Sequence, residues 1–199
     1  LSARPPADGR DAELEDALAP AGTAQRLLEA FLGEEVPGDF LLIDLWAKEK
    51  TPGAIYGDIT WCGVCAASPE ERHEEIWRIV AGARDAAWEL VSSRYPHQTV
   101  RGYEVDDASR GVIEAAGYGD AFFHRTGHSI GIEDHGQGAN MDNLETHDTR
   151  PLVAMTGFSI EPGIYLPGRW GMRIEDIVVA SEGGVERLNR SSRAIRFVD

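Results

Sequence analysis

The hydrophobic pattern of the chain is dominated by short apolar runs, several of which enclose an acidic residue. FLLIDLWA predicts a buried strand that contains Asp44. After a turn at Pro52-Gly53, AIYGDITWCGVCA predicts the return strand of a hairpin and contains Asp58. Near the C-terminus TGFSIEPGIYLPG, GMRIEDIVVAS and GVERLN predict three more strands, and the first two enclose Glu161 and Glu175. The pattern therefore predicts four acidic residues within apolar strands.

Helical patterns fill the middle of the chain. Ser68 is the expected N-cap of a helix that runs to about Ser93, with Glu71 completing a capping box. A second helix is expected over residues 104–116, with Gly117 as its C-cap. Helices therefore separate the predicted hairpin from the later strands.

A histidine-rich stretch, FFHRTGHSIGIEDH, follows the second helix and contains His124, His128 and His135. The first two have the spacing of a zinc-binding HExxH helix, but Arg125 replaces the glutamate and Gly127 interrupts a helix. We therefore expect an extended segment whose imidazoles point into a site completed elsewhere. The alternative is three unrelated histidines. Residues 136–150 are polar and rich in Gly and Asn, which predicts a long loop.

Composition narrows the classes of function. With 199 residues the chain suits one domain, which we assign to residues 37–199, preceded by a helical entry segment at residues 1–36. The net charge of -15 argues against nucleic acid and anionic membrane surfaces as partners. There is no apolar run of about 18 residues, so we expect no membrane span and a cytoplasmic location. Two cysteines make no disulfide framework.

The four strand acids suggest a metal centre. Any one of them could instead form a structural salt bridge or occupy a partly exposed strand position. Four clustered carboxylates would repel one another, and two divalent cations would balance their charge. His128 would add a nitrogen ligand, and this donor set suits Mn, Fe or Co better than a thiolate-type zinc site. Two neighbouring ions can activate water and polarise a carbonyl.

The chain resembles the pita-bread metallopeptidases, which include aminopeptidase P, prolidase and methionine aminopeptidase, and it looks closest to the Xaa-Pro branch. The matching pieces are LLIDLWA with GDIT, then FFHRTGHSIGIEDH, SIEPGIY and GMRIED, in the family's order. Residues 1–36 do not resemble the family. The resemblance implies an α+β fold, a curved antiparallel sheet backed by helices. It also implies the metal ligands Asp44, Asp58, His128, Glu161 and Glu175.

The resemblance further implies a dinuclear peptidase that cleaves the N-terminal bond of Xaa-Pro peptides through a hydroxide bridging two divalent ions. Manganese is the first choice, with Co, Fe or Zn as alternatives. His124 and His135 would be the substrate-side histidines, and Glu161 would also transfer the proton. Tyr165 would line the pocket, with Arg173 and Asp176 supporting the ligands. The expected partners are a small peptide and, in a homodimer, a second copy of the chain.

Two alternatives to this function stay open. One is a pita-bread binding or scaffold module, or a truncated homologue of low activity. The other is a metal-free hydrolase of small amidines on the same fold, as in creatinase. The intact set of ligand positions favours the peptidase.

Overall fold

The structure, a computed structural model, describes residues 38–189 and 194–197. The predicted entry segment, residues 1–36, lies outside the described residues. Within the described ranges, no helix has the length and apolar character needed to cross a bilayer.

The predicted hairpin is present. Strand β1 (Phe40–Ala47) pairs antiparallel with β2 (Gly57–Val64), and the short strand β9 (Arg196–Phe197) adds to β2 in parallel. The expectation that β1 is buried is wrong for most of the strand. In its first half Leu41 is buried and the other residues are half-buried, and in its second half Leu45 and Trp46 are more than half exposed. Among described residues, the core packs against Phe40 and Leu42 near the start of β1. The outer half of this edge strand projects beyond that core and carries Asp44 outward.

Two helices follow, α1 (Glu71–Arg94) and α2 (Gly102–Ala115). The expected N-cap, Ser68, is wrong. Glu70 caps α1 because its side chain accepts a backbone N–H in the first turn, while its own N–H donates to Nδ1 of His73 at 3.2 Å. Beyond α2, Gly117 adopts a φ of 83°, and the N–H of Tyr118 donates to the carbonyl of Ile113 at 3.0 Å. This left-handed turn ends α2 where a glycine was expected to stop it.

The later strands are more finely divided than the sequence suggests. After a single 3-10 turn (Gly119–Ala121) they are β3 (Ser129–Ile130), β4 (Thr156–Ile160), β5 (Gly163–Leu166), β6 (Trp170–Arg173), β7 (Asp176–Ser181) and β8 (Gly184–Arg187). One sheet has the order β3-β4-β7-β8, and β5 pairs with β6 alone; all these neighbours are antiparallel. Residues 136–150 form the expected loop without a helix or a named strand.

Glu161 and Glu175 were expected inside strands, and that expectation is wrong for both. Each lies at a break, Glu161 between β4 and β5 and Glu175 between β6 and β7. Pro162 lacks an N–H and cannot continue the ladder, so the chain turns from one strand pair to the other at that point. The N–H of Ile174 donates to the carbonyl of Pro162 at 3.3 Å, which brings the two breaks together.

Two apolar clusters hold these layers together, and helix α1 contributes to both. The first contains Ile76 and Val80 of α1 with Ile164 and Met172 of the β5-β6 pair. The second packs residues of α1, α2 and the loop against β4 and β7. The breaks at Glu161 and Glu175 lie where β4 and β7 give way to β5 and β6, between the strands of the two clusters.

Candidate metal centre

A cleft of about 380 Å³ opens on one side of the hairpin. It collects side chains from β1, β2, the histidine-rich stretch, the 136–150 loop, the break at Glu161 and the end of β6. The lining residues are Asp44, Trp46, Asp58, His124, Arg125, His128, Asp134, His135, Glu145, Glu161 and Arg173. The structure thus brings most of the predicted site residues to one cavity.

Three of the predicted ligands meet at the hairpin. Asp44, Asp58 and Glu175 each present a carboxylate oxygen, and these oxygens lie within 4.8 Å of one another. Asp58 and Glu175 are buried, whereas the side chain of Asp44 is 39% exposed toward the cleft. Three carboxylates at this separation are typical of a site for a hard divalent cation.

His128 connects this group with Glu161. Its Nε2 lies 3.2 Å from Oε1 of Glu161 and 3.6 Å from Oδ2 of Asp58. Its Nδ1 is 3.1 Å from the carbonyl of Ser129, which can only accept, so Nδ1 is the donor. That bond fixes the ring and directs Nε2 to the carboxylates, as metal-bound imidazoles are held. The five predicted ligands therefore form one continuous set.

The charges in this set shift its pKa values. Burial, followed by the charges of Glu161 and Asp58, raises the pKa of Glu175 to about 8. Burial alone would lower the pKa of His128, but its hydrogen bonds to Asp58 and Glu161 raise it to about 10. Burial would raise the pKa of Glu161, yet His128 and Arg173 hold it below its ordinary value. In the metal-free chain, protons on Glu175 and His128 thus reduce the repulsion among the carboxylates, as bound cations would do in the metal-loaded chain.

Two buried oxygens test whether a cation fits. Among the described residues, Oδ1 of Asp58 and Oε1 of Glu175 have no hydrogen-bond partner. Buried carboxylate oxygens are normally satisfied, and a divalent cation would satisfy both. Oxygen donors with one imidazole also match the ligand types that Mn, Fe or Co accept. The residues therefore fit a divalent metal.

Arg173 and Thr60 tie the carboxylates together. Arg173 forms an ion pair with Asp44, and its Nη1 lies 3.4 Å from Oε2 of Glu161. Its Nε donates to Oγ1 of Thr60 at 2.8 Å, and this hydroxyl donates to Oε2 of Glu175 at 2.7 Å. Arg173 was predicted from the sequence, whereas Thr60 was not. The available signal was its position two residues after Asp58, since alternate residues share one face of a strand.

His124 reaches the cleft with both ring nitrogens bonded. Nδ1 donates to the carbonyl of Arg125 at 2.7 Å, so Nε2 accepts the hydroxyl of Tyr165 at 2.8 Å. Burial lowers the pKa of His124 and raises the pKa of Tyr165 to about 12. The histidine is therefore neutral and the phenol protonated near pH 7, which preserves this bond.

His135 and Asp176 occupy contrasting places. His135 is 64% exposed at the cleft, and its ring centroid lies 4.2 Å from that of His128. Asp176 is fully buried, outside the cleft lining, with Oδ2 3.6 Å from Nε of Arg84 and 3.1 Å from Nη1 of Arg187. Asp176 thus anchors the start of β7 to α1 and β8, one residue after Glu175.

A clamp on helix α2, formed by Asp106 and Arg110, was missed by the sequence argument. Arg110 makes two hydrogen bonds of 2.8 and 2.9 Å to Asp106 and donates to the carbonyls of Phe122 and His124 at 2.9 and 2.8 Å. Asp106 accepts the N–H of Thr126 at 2.8 Å. The only sequence signal was an Asp and an Arg four apart on one helix face. The Asp106–Arg110 clamp fixes the backbone that carries His124.

An α+β protein with clustered carboxylates around one imidazole is the class that this fold and site define. The chain belongs to metallopeptidase family M24, whose model matches residues 25–182. This finding confirms the predicted family and, with the solved structures below, the pita-bread fold class.

Three relatives illustrate the match. A Xaa-Pro dipeptidase of Pyrococcus furiosus is 36% identical over 162 residues, covering 79% of this chain and 42% of the relative. The solved dipeptidase PepE of Mycobacterium ulcerans superposes with a TM-score of 0.69 at 36% identity, covering 82% of this chain and 41% of that one. A prolidase of Thermococcus sibiricus also gives 0.69, at 30% identity and 83% and 41% coverage. The chain spans about two fifths of the length of these relatives.

Proposed function

We propose that this chain carries the catalytic site of a metal-dependent peptidase that cleaves the N-terminal bond of Xaa-Pro peptides. The observation that carries this proposal is the continuous donor set. Asp44, Asp58 and Glu175 converge within 4.8 Å, and His128 lies between Asp58 and Glu161. Relatives named Xaa-Pro dipeptidase and prolidase support the choice of substrate.

The five residues would hold two divalent ions, with Mn²⁺ as the first choice and Co, Fe or Zn as alternatives. Bound there, such ions supply an activated water and polarise the scissile carbonyl. The cytoplasmic location and the homodimer stay predictions.

Glu161 is the residue we assign to proton transfer. Its pKa is held low, so it is ionised near pH 7 and can accept a proton. Ser159 donates to its Oε1 at 2.8 Å and Arg173 approaches its Oε2, which fixes the carboxylate in place. We propose that Glu161 takes the proton of the attacking water and delivers it to the leaving nitrogen.

The two substrate-side histidines receive different tasks. His135 is exposed beside His128, where a ring N–H can donate to the oxyanion that develops on the substrate. His124 is half-buried beside Tyr165 and presents a neutral ring to the cleft. We propose that it positions the substrate through this fixed pair.

The decisive test combines metal content with turnover. Protein purified without chelator is analysed for metal, then assayed on Ala-Pro and Ala-Pro-Ala with added Mn²⁺ or Co²⁺. We expect close to two ions per chain and proline-dependent cleavage. Asp58→Asn should lose metal and turnover but keep its fold by circular dichroism. The matched control is Asp120→Asn, at an exposed aspartate of the 3-10 turn.

Each alternative function gives a different result. Metal without cleavage of any peptide would support a binding module or a homologue of low activity. Cleavage of small amidines by metal-free protein would support the creatinase-like alternative. Full activity of Asp58→Asn would refute the assigned ligand set.

A further inference from the structure

Two of the described residues that line the cleft carry a guanidinium, and they differ in how firmly they are bound. Arg173 is engaged by Asp44, Glu161 and Thr60, and only 14% of its side chain is exposed. Arg125 faces Glu145 with Nη1 and Oε2 3.7 Å apart, and the two side chains are 23% and 52% exposed. That separation exceeds a hydrogen bond, so water weakens this ion pair. Of these two guanidinium groups, that of Arg125 is therefore held more weakly by neighbouring side chains.

The backbone that presents Arg125 is fixed on both sides. Its carbonyl accepts Nδ1–H of His124 at 2.7 Å. The carbonyl of His124 accepts Nη2–H of Arg110, and the N–H of Thr126 donates to Asp106, both at 2.8 Å. The Asp106–Arg110 clamp therefore holds the residues before and after Arg125. Its side chain projects from a rigid base next to a residue assigned to substrate positioning.

The loop that carries Glu145 is also fixed by hydrogen bonds. Asp142, fully buried, accepts the backbone N–H groups of Leu144, Glu145 and Thr146 at 2.9–3.0 Å. These bonds fix the backbone of the loop from which Glu145 reaches Arg125. The loose contact between the two side chains is therefore set by two anchored segments.

We propose that Arg125 binds the α-carboxylate of a short peptide in the cleft, and that Glu145 weakens this binding by competing for the guanidinium. A guanidinium matches a carboxylate with two parallel hydrogen bonds. The other charged lining residues are acidic or, like Arg173, already bound. A carboxylate entering the cleft is therefore drawn to Arg125.

The size of the cleft sets the length of that peptide. A volume of about 380 Å³ lies near the lower end for small-molecule sites. A dipeptide would place its C-terminal carboxylate within such a cavity, whereas a longer peptide would carry it outside. This inference rests on the proposed function and deepens it, because it assigns the chain to dipeptides.

The test compares Ala-Pro with Ala-Pro-amide, two substrates that differ in the C-terminal charge. Arg125→Gln should raise the KM for Ala-Pro roughly tenfold or more and leave that of the amide within about twofold. Glu145→Gln should act in the opposite direction and lower the KM for Ala-Pro. Arg72→Gln is the matched control, since Arg72 forms an exposed ion pair with Glu75 on α1, away from the cleft lining.

A second readout does not depend on turnover. Calorimetry measures binding of an Ala-Pro analogue whose peptide carbonyl is reduced to a methylene, as free acid and as amide. Wild-type protein should bind the acid more tightly, and Arg125→Gln should abolish that difference. Equal binding of acid and amide by the wild type, binding of neither, or an equal loss for both in the variant would overturn the inference.

The two readouts separate this inference from the proposed function. A wild type that cleaves both substrates without preference would sustain the peptidase and refute the role of Arg125. A wild type that cleaves neither but binds the acid selectively would sustain the carboxylate site and refute the peptidase. A higher KM for Ala-Pro in Glu145→Gln would refute the competing role of Glu145.

Discussion

Loading the metal-free protein with Mn²⁺ should release protons, and the amount follows from the site. Glu175, with a pKa of about 8, and His128, with a pKa of about 10, both hold a proton near pH 7 in the metal-free chain. A metal ligand must be deprotonated, so both protons have to leave. The expected release is close to two protons per chain at pH 7 and about one at pH 9, where Glu175 is largely ionised.

Calorimetry measures this number directly. Titrating MnCl₂ into metal-free protein in two buffers of different ionisation enthalpy gives the protons released from the difference in heat. Asp120→Asn, the surface control, should match the wild type. Binding of Mn²⁺ that releases almost no protons at pH 7 would show that Glu175 and His128 do not hold protons in the metal-free chain. Absence of binding would refute the metal centre itself.

The same two groups set the pH dependence of stability without metal. The folded-state pKa of each lies above its ordinary value, 4.5 for Glu175 and 6.5 for His128. Between pH 4.5 and about 8 for Glu175, and between pH 6.5 and about 10 for His128, the folded chain holds more protons than the unfolded chain. The free energy of unfolding therefore falls as the pH rises. We expect the melting temperature of the metal-free protein to fall between pH 6 and 9 and to be restored by Mn²⁺. A melting temperature that rises over this range would contradict the assignment.

Three substitutions, one of them with a matched glycine control, test the frame around the site. Arg110→Met should lower the free energy of unfolding by about 3–5 kcal/mol, because it leaves a buried aspartate unpaired; a loss below about 1 kcal/mol in urea denaturation would contradict the clamp. Gly127→Ala would place a Cβ 2.0 Å from a carbonyl oxygen of β4 and should lower the free energy of unfolding by at least about 2 kcal/mol. At Gly111 of α2 a Cβ would meet nothing within 4 Å, so Gly111→Ala should raise the free energy of unfolding by about 0.5–1 kcal/mol. Tyr165→Phe removes the hydroxyl that donates to His124 and should lower kcat roughly ten- to a hundredfold with little change in KM; an unchanged kcat would remove this pair from the mechanism.

The sequence predicted the chemistry of the site better than its geometry. Asp44 and Asp58 could be selected because a carboxylate in an apolar strand is costly without a partner. The cost of a buried carboxylate does not show where a strand ends. Glu161 and Glu175 lie at breaks that depend on Pro162 and on how β5 and β6 pair with each other. The breaks are tertiary features, and no local periodicity encodes them.

The supporting residues were missed for a related reason. Thr60 contacts Arg173 and Glu175 across more than a hundred residues of chain. Arg110 acts through carbonyl oxygens, which have no side-chain signature in a sequence. Neither residue is unusual where it stands in the chain. Their contacts with the site exist only in the folded structure.

The five proposed ligands are held by two structural frames. The hairpin carries Asp44 and Asp58, and Thr60 on the same strand binds Glu175. His128 and Glu161 belong to the second frame, in which the N–H of Glu161 donates to the carbonyl of Thr126 at 2.7 Å.

The Asp106–Arg110 clamp acts on the second frame alone, since its contacts are with Phe122, His124 and Thr126. A disturbance of α2 should therefore shift Glu161 and His124 while the three carboxylates at the hairpin stay together. Between the frames, His128 reaches Asp58, and Arg173 reaches Asp44 on one side and Glu161 on the other. The N–H of Tyr56 in the hairpin also donates to the carbonyl of Gly131 at 3.0 Å. Cations bound between these frames would join them, so metal binding and the rigidity of the cleft are coupled.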